Sequence, residues 1–330
     1  MGTYKGIQGY MVESLASDPG TLSEVIGKVW YNSGSNVWKV AKEASGAWSS
    51  GGNLNTARNA LSGFGDSNTA AISVGGHLGT PGDAYTGATE SYDGTTWTTV
   101  TSTSPTRGEA TACGSQTAGL FFAGVNQPGR KKQTQSWNGT GWTELADQSD
   151  DHGGGAGFGT QTAAIIASGV AAVAAQVDAE TWDGSTWTET GNVNNARAYF
   201  TGTGIQTAGI LMGGVKSGPA LSNAAETYDG STWTEVTVIN TARRDSTRAG
   251  LQSTAMMISG NVTPSATAIV EQYNGTGWTE IADVSTPMKI LGGDGTASSA
   301  FKSGGGNPSV SNVSEEWNDP VYAAVTVTTS

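Results

Sequence analysis

The sequence predicts an all-β chain, and three observations carry that expectation: a unit of about 45 residues that recurs along most of the length, a tight-turn signal at a fixed place in each unit, and a composition rich in turn formers. The clearest piece of the unit reads SYDGTTWTTV at 91–100, SWNGTGWTEL at 136–145, TWDGSTWTET at 181–190, TYDGSTWTEV at 227–236 and QYNGTGWTEI at 272–281. The leading aromatics Tyr92, Trp137, Trp182, Tyr228, Tyr273 and Trp317 are spaced 45, 45, 46, 45 and 44 apart. A period of that size marks a propeller or a solenoid. Gly at 49 of 330 residues suits turn-dense β structure, and a charged fraction of 13% excludes a disordered acidic chain.

From the N-terminus, residues 1–24 carry a turn signal at Asp18-Pro19-Gly20. GKVWYNSGSNVWKV (27–40) reads as a short hairpin, with KVWY and VWKV flanking Asn-Ser-Gly-Ser-Asn. In each unit, two short apolar runs such as NALSGFG (59–65) and TAAISVGG (69–76), or YFTGTG (199–204) and TAGILMGG (207–214), supply the first pair of strands. The aromatic, then Asp-Gly or Asn-Gly, then the Trp five residues on supply the second pair, joined by a two-residue type I′ turn with φ > 0 at both central residues. Four antiparallel strands at this period make one propeller blade; no 3.6-residue apolar period is present to suggest a helical repeat. VYAAVTVTTS (321–330) is one further β-type run.

Spacing also predicts how the ring closes. Ten positions separate each hairpin Trp from the basic residue opening the next unit: Trp97 to Arg107, Trp142 to His152, Trp187 to Arg197, Trp233 to Arg243. Trp48 and Arg58 repeat that spacing, so GAWSSGG (46–52) reads as the last strand of a blade whose first three strands lie elsewhere. After Trp317 the chain reads Asn-Asp-Pro, and Pro320 blocks a hairpin there. The N-terminal strand is therefore expected beside EEW (315–317), giving six blades and hiding two sheet edges. The expected organisation is an attachment segment at 1–43, a six-bladed propeller at 44–320 and a terminal strand at 321–330.

The small-Gly pairs ending the second strands (Gly75-Gly76, Ala123-Gly124, Ser168-Gly169, Gly213-Gly214, Ser259-Gly260), followed by Glu-x-Tyr and the Trp, resemble the kelch repeat over roughly 44–319. The leader with YKGIQGY and SLASDPG, the VWYNSGSNVWKV hairpin, AWSSGGNLNTAR, the TQTA turns and the terminal EEWNDPVYAAVTVTTS together resemble structural proteins of marine tailed bacteriophages, of the cyanophage type. That resemblance implies a virion component, expected to be made in the host cytoplasm. Residues 1–42 and 321–330 have β character and no place in the six-blade count, so they are the expected contact to other virion proteins or to a second copy of this chain.

The chemistry-bearing residues are few. His77 and His152 fall in different units, no metal-ligand spacing such as HExxH or paired CxxC exists, and Cys113 lies in an apolar strand where a packed thiol is expected. No catalytic, cofactor or metal residue is expected. Asn138 and Asn274 replace Asp at the repeated turn, an exchange that keeps a turn but deletes a carboxylate. Net charge is −12, and beyond Arg130-Lys131-Lys132, read as a solvated loop tip, and Arg243-Arg244 there is no basic run, which argues against nucleic-acid binding. No apolar stretch approaches the length of a membrane span. The repeated basic set Arg58, Arg107, His152, Arg197 and Arg243 admits two readings: a ring collecting an anionic sugar or a partner's carboxylates, or structural groups satisfying backbone carbonyls between blades. In the sixth unit Met288 takes this position, with Lys289 beside it. The repeated Glu90, Glu180, Glu226, Glu271 and Glu315, with Gln135 in the second unit, admit the same two readings. The loops between second and third strands (77–88, 126–133, 170–177, 216–224, 261–269, 307–314) vary in length and content, as binding loops on a fixed scaffold do. The function expected is a non-enzymatic virion structural protein. The alternatives are an adhesin for a host-surface glycan and a glycan-active enzyme, the latter marked by carboxylates converging at one mouth of the channel.

Overall fold

The computed structural model describes residues 13–79, 84–126, 129–171, 174–216, 220–319 and 321–327. The YKGIQGY leader, Pro320 and residues 328–330, together with parts of four variable loops, lie outside the described residues. Among the described residues there is no α-helix, only two 3-10 turns at Leu22–Val25 and Gln252–Thr254. The chain divides into two compact units, one of Met1–Gly46 with Asp319–Ser330 and the other of Ala47–Asn318.

The larger unit contains six four-stranded antiparallel sheets. Sheet one is Ser62–Ser67, Ala70–Val74, Thr89–Tyr92 and Trp97–Val100; sheet two is Thr111–Ser115, Ala118–Phe122, Thr134–Trp137 and Trp142–Glu144. Sheet three is Ala156–Gly159, Ala164–Ala167, Ala179–Trp182 and Trp187–Glu189, and sheet four is Thr201–Ile205, Ala208–Met212, Ala225–Tyr228 and Trp233–Val236. Sheet five follows as Thr247–Ala249, Met256–Ile258, Val270–Tyr273 and Trp278–Glu280. Sheet six has Gly292–Gly295, Ser299–Ser303 and Ser314–Asn318, and its fourth strand is Ala47–Ser50. Trp317 stands opposite Trp48 and Glu315 opposite Ser50, with the two indole rings 5.6 Å apart. The strand neighbour expected from the ten-residue spacing is the one observed.

The repeated turn corrects one expectation. Tyr92 pairs with Trp97, Trp137 with Trp142, Trp182 with Trp187, Tyr228 with Trp233 and Tyr273 with Trp278, leaving four residues in each turn instead of two. Only the glycines have positive φ, from 90° to 98°; the preceding Asp or Asn does not. The reason lies in the side chain: Asp93 Oδ1 accepts the backbone N–H of Thr95 and Thr96, both at 2.8 Å, and Asn138 Oδ1 those of Thr140 and Gly141 at 3.0 and 2.9 Å. Asp183, Asp229 and Asn274 do the same. Carboxylate and amide are interchangeable here because the acceptor oxygen alone is used.

The apolar core is split into six clusters, each shared by consecutive sheets. Phe64, Ile72, Phe121 and Trp137 join sheets one and two; Leu120, Phe122, Ile166 and Trp187 join two and three; Phe158, Ile165, Leu211 and Trp233 join three and four. Ile210, Met212, Met257 and Trp278 join four and five, and Met256, Ile258, Ala300 and Trp317 join five and six. The sixth cluster, with Leu61, Tyr92, Trp97 and Phe301, joins sheet six to sheet one. Amide side chains cross the same interfaces. Gln161 Nε2 donates to the carbonyls of Gly119 and Trp137, Gln206 Nε2 to those of Ala164 and Trp182, and Gln252 Nε2 to those of Gly209 and Tyr228. Asn68 fills that role between sheets one and six, donating to Trp317 O at 2.9 Å.

The smaller unit is one sheet in the order Ser14–Leu15, Val29–Asn32, Val37–Ala44, Val321–Thr326. The expected hairpin is present, with Val29 opposite Val40, and the C-terminal strand pairs antiparallel with its second arm, with Val40 opposite Val325. On one face Trp30 and Ala41 are buried; the Asp18 carboxylate accepts hydrogen bonds from Trp30 Nε1, Asn32 and Lys39. On the other face Val29, Trp38, Val325 and Val327 are 42–46% exposed.

Two glycines make the packing testable. A Cβ on Gly119 would run into the Phe64 ring, while one on Gly141 would meet nothing within 4 Å, and Gly141 has no positive φ. Gly141→Ala is expected to stabilise the fold by about 0.4–1 kcal/mol through the unfolded chain, and Gly119→Ala to destabilise it by about 1–3 kcal/mol through overpacking. Urea denaturation of both variants checks the pair.

Candidate functional site

The repeated basic residues lie inside the sheets. Arg58, Arg107, Arg197 and Arg243 are fully buried and His152 is 2% exposed, so an external anion has no access to them. The reading of these five as an open ring for a ligand does not match their burial. Each guanidinium or imidazole is turned instead toward its own sheet. Arg58 pairs with Glu90, Arg243 pairs with Glu271, Arg197 Nη2 donates to Glu226 at 2.9 Å, and His152 Nε2 to Glu180 at 3.3 Å. The same cations reach second-strand carbonyls, Ser73 O for Arg58, Met257 O for Arg243 and Phe121 O for Arg107. The glutamates in turn accept backbone N–H groups of the segment leading in from the preceding sheet: Asn55 and Thr56 for Glu90, Ser149 and Asp150 for Glu180, Asn240 and Thr241 for Glu271, Ser285 and Thr286 for Glu315.

Two units depart from this clasp. In sheet six, where Met288 replaces the basic residue, Lys302 on the second strand sends Nζ to Glu315 at 2.8 Å, so a cation reaches the carboxylate from a different strand. Sequence spacing points to Lys289 and misses Lys302; the available signal was a lysine inside a run, AFKS, where the equivalent residues are Ser73, Phe121, Ile166, Leu211 and Met257. In sheet two Gln135 stands in for Glu, and among the described residues no carboxylate is in contact with Arg107. Its guanidinium lies 4.3 Å above the Phe121 ring, its Nε and Nη1 have no hydrogen-bond partner, and burial pushes its pKa down to about 10.

His152 differs from its arginine equivalents by titrating. Nδ1 donates to Ser168 O at 2.9 Å and Nε2 faces Glu180, so both ring nitrogens have acceptors and the imidazolium satisfies them together. Burial lowers its pKa, but the Glu180 hydrogen bond, the Asp178 charge and the Ser168 carbonyl outweigh that and leave it raised.

Other candidates are plainly placed. Backbone and hydroxyl donors hold the Asp183 carboxyl at about 2, and Asp93 and Asp229 are likewise held low, so the repeated aspartates are spent on their own turns. Burial pushes the Cys113 thiol up to about 12. No group of three or more His, Cys, Asp or Glu that could hold a metal ion occurs among the described residues, nor any helix long and apolar enough to cross a membrane.

A second site emerges two residues past each basic position, where Ala60, Glu109, Gly154, Tyr199, Asp245 and Ile290 stand. All six have φ between 50° and 62°, a region that costs a side chain about 1–2 kcal/mol. They are linked from sheet to sheet by backbone hydrogen bonds: Ala60 N to Ile290 O, Ile290 N to Asp245 O, Asp245 N to Tyr199 O, Tyr199 N to Gly154 O and Glu109 N to Ala60 O, at 2.8–2.9 Å. With their successors they line a cup of about 100 Å³. Below it run Ser62, Thr111, Gly157, Gly202, Thr247 and Gly292, one from each sheet. Burial raises the carboxyls of both Glu109 and Asp245, with the Asp245 charge adding to the effect on Glu109. Arg130, expected as a solvated loop tip, has a buried Nε and packs on Gly153, from which its charge acts on Glu109 and Tyr199. Sequence reasoning passed over this position because no residue repeats there; the signal was that variety itself, at a fixed place in an otherwise regular unit.

Compared with known proteins, the chain matches no family model and no curated sequence.

Arg243→Met would strand the Glu271 carboxylate and is expected to cost about 3–5 kcal/mol, whereas Arg107→Met strands no carboxylate and should cost less than half as much; equilibrium denaturation of the two variants checks the difference. The raised pKa of His152 gives stability that is complete below the ordinary value of 6.5 and is lost as pH rises through the folded value. His152→Arg is expected to remove that decline. A melting-temperature series from pH 6 to 9 with equal slopes in both proteins would rule the clasp out as its source.

Proposed function

We propose that the six sheets are the blades of one closed, kelch-like propeller, and that the chain is a non-enzymatic structural protein of a phage particle that displays this propeller. Closure is supported by the cores shared between every consecutive pair of sheets, sixth to first included, and by the Trp48 strand pairing with the strand that ends at Trp317 and Asn318. The particle assignment is supported by the resemblance of the leader, hairpin and C-terminal motifs to tailed-phage structural proteins.

The observation that carries the attachment reading is the terminal sheet. Both ends of the chain contribute strands to it, although neither end is needed for the six-sheet body beyond Ala47 and Asn318. Among the described residues Val321–Thr326 has one strand neighbour, leaving an edge with unpaired N–H and C=O groups, and Val29, Trp38 and Val325 expose an apolar face. Such an edge and face suit strand addition and apolar packing by another protein of the particle or by a second copy. The repeated carboxylates serve the scaffold: glutamates bind buried cations and aspartates bind turns. Glu109 and Asp245, which do converge on one cup, are binding groups in this reading. Turnover of a sialoside, galactoside or uronate polymer that Glu109→Gln or Asp245→Asn abolishes would overturn the non-enzymatic part.

Deleting residues 1–40 is expected to leave the six-sheet body folded, by circular dichroism and melting, but unable to join particles. Incorporation of the truncated protein at normal copy number would place attachment on the sheets.

A further inference from the structure

At the cup six different residues occupy one position of an otherwise regular unit. A scaffold selected for stability alone would carry glycine at a backbone position with φ near 55°, as sheet three does at Gly154. Glu109, Tyr199 and Asp245 hold that conformation instead, and strained residues of this kind concentrate at binding sites.

A second observation comes from the variable loops. Each loop between second and third strands begins beside the cup position of its sheet, through the bridges Asn59 to His77, Gly108 to Val125, Gly153 to Val170, Ala198 to Val215, Arg244 to Asn261 and Lys289 to Gly306. The described first residues of these loops therefore lie beside the residues that line the cup. One of them delivers Arg130, whose Nε would lie 2.8 Å from a Cβ on Gly153; that Nε is buried and makes no hydrogen bond. Arg244, the residue before Asp245, also has a buried Nε that donates no hydrogen bond, and it stands 3.3 Å from the Asp245 carboxylate. Its guanidinium lies 5.7 Å from the centre of the Tyr199 ring, which also packs on Gly154.

The groups present narrow the ligand. A metal ion would find two carboxylates among two guanidinium groups and the nearby Lys289 ammonium. A free anion would find the guanidinium groups guarded by Glu109 and Asp245. Vicinal hydroxyls donate to carboxylates and accept from guanidinium groups at once, and a sugar ring presents both in a volume that a cup of about 100 Å³ admits in part.

We propose that the cup lined by Glu109, Tyr199 and Asp245, with Arg130 and Arg244 beside it, binds a neutral saccharide. The site does not depend on the attachment reading, since the cup is complete within Ala47–Asn318.

The test uses the full purified chain on a panel of immobilised oligosaccharides, neutral ones ending in galactose, glucose or mannose and acidic ones ending in sialate or uronate. Binding of a neutral member is expected, weakened at least tenfold in Glu109→Gly and in Asp245→Gly. Glycine suits the backbone at both positions, so each variant should melt no lower than the parent, which separates loss of the site from loss of the fold. Absence of binding across the panel, undiminished binding by both variants, or preference for the acidic members would overturn the proposal. No particle is involved, so a failure here leaves the attachment reading standing and a failed incorporation experiment leaves the saccharide site standing.

Discussion

In four of the six sheets a cation at the start of the sheet is clasped to a carboxylate on its third strand, and this buried clasp is the interaction on which the rest of the larger unit depends. Each sheet is small and is connected to the last by a segment of irregular backbone, whose N–H groups must find acceptors once buried. The glutamate supplies them, as Glu90 does for Asn55 and Thr56, and the cation opposite neutralises the carboxylate while binding second-strand carbonyls. The second and third strands and the incoming connection are thereby held at one point. A buried ion pair adds little net stability over an apolar equivalent; its value here is geometric, because it fixes how one sheet leads into the next. The sixth sheet rebuilds the clasp from Lys302 after losing the residue at Met288, while sheet two keeps the cation and puts Gln135 in place of the carboxylate.

Division of labour follows from that constraint. Positions that repeat, the Arg and Glu of the clasp, the Gln crossing between sheets and the Asp or Asn of the turn, are used up inside the scaffold. What the scaffold leaves free is the residue two places further on, where the backbone is left-handed and the side chain faces the cup. There the six units disagree completely, from Ala60 to Ile290, and two carboxyls sit in surroundings that disfavour their charge. Stability and the proposed recognition thus fall on neighbouring positions of the same segment without competing for the same atoms.

Much of this was legible in the sequence because a repeat samples the same physics several times. The period, the aromatic pairs and the alternation of short apolar runs define four strands per unit, and the shared ten-residue spacing from Trp48 to Arg58 identifies the strand that pairs beside Trp317. The turn type was misjudged, since Asp-Gly reads as a type I′ signal whenever its side chain is ignored, and the Asp93 carboxylate captures two N–H groups that set a longer turn. The partners of the buried arginines could not be read off, because Arg58 and Glu90 are 32 residues apart and nothing local joins them. Lys302 was hidden for the same reason. The cup was invisible for the opposite reason: its residues share a place in three dimensions but no chemistry in sequence.

The central claim is that Ala47–Ser50, by completing the sixth sheet, makes the six sheets one cooperative body. Native-state hydrogen exchange tests it most directly. Amides of Ala47–Ser50 and Ser314–Asn318 should exchange only through global unfolding, with the same opening free energy as the second strands of sheets two to four. Exchange of these two strands through a separate opening of much lower free energy, with the other sheets still protected, would contradict the account.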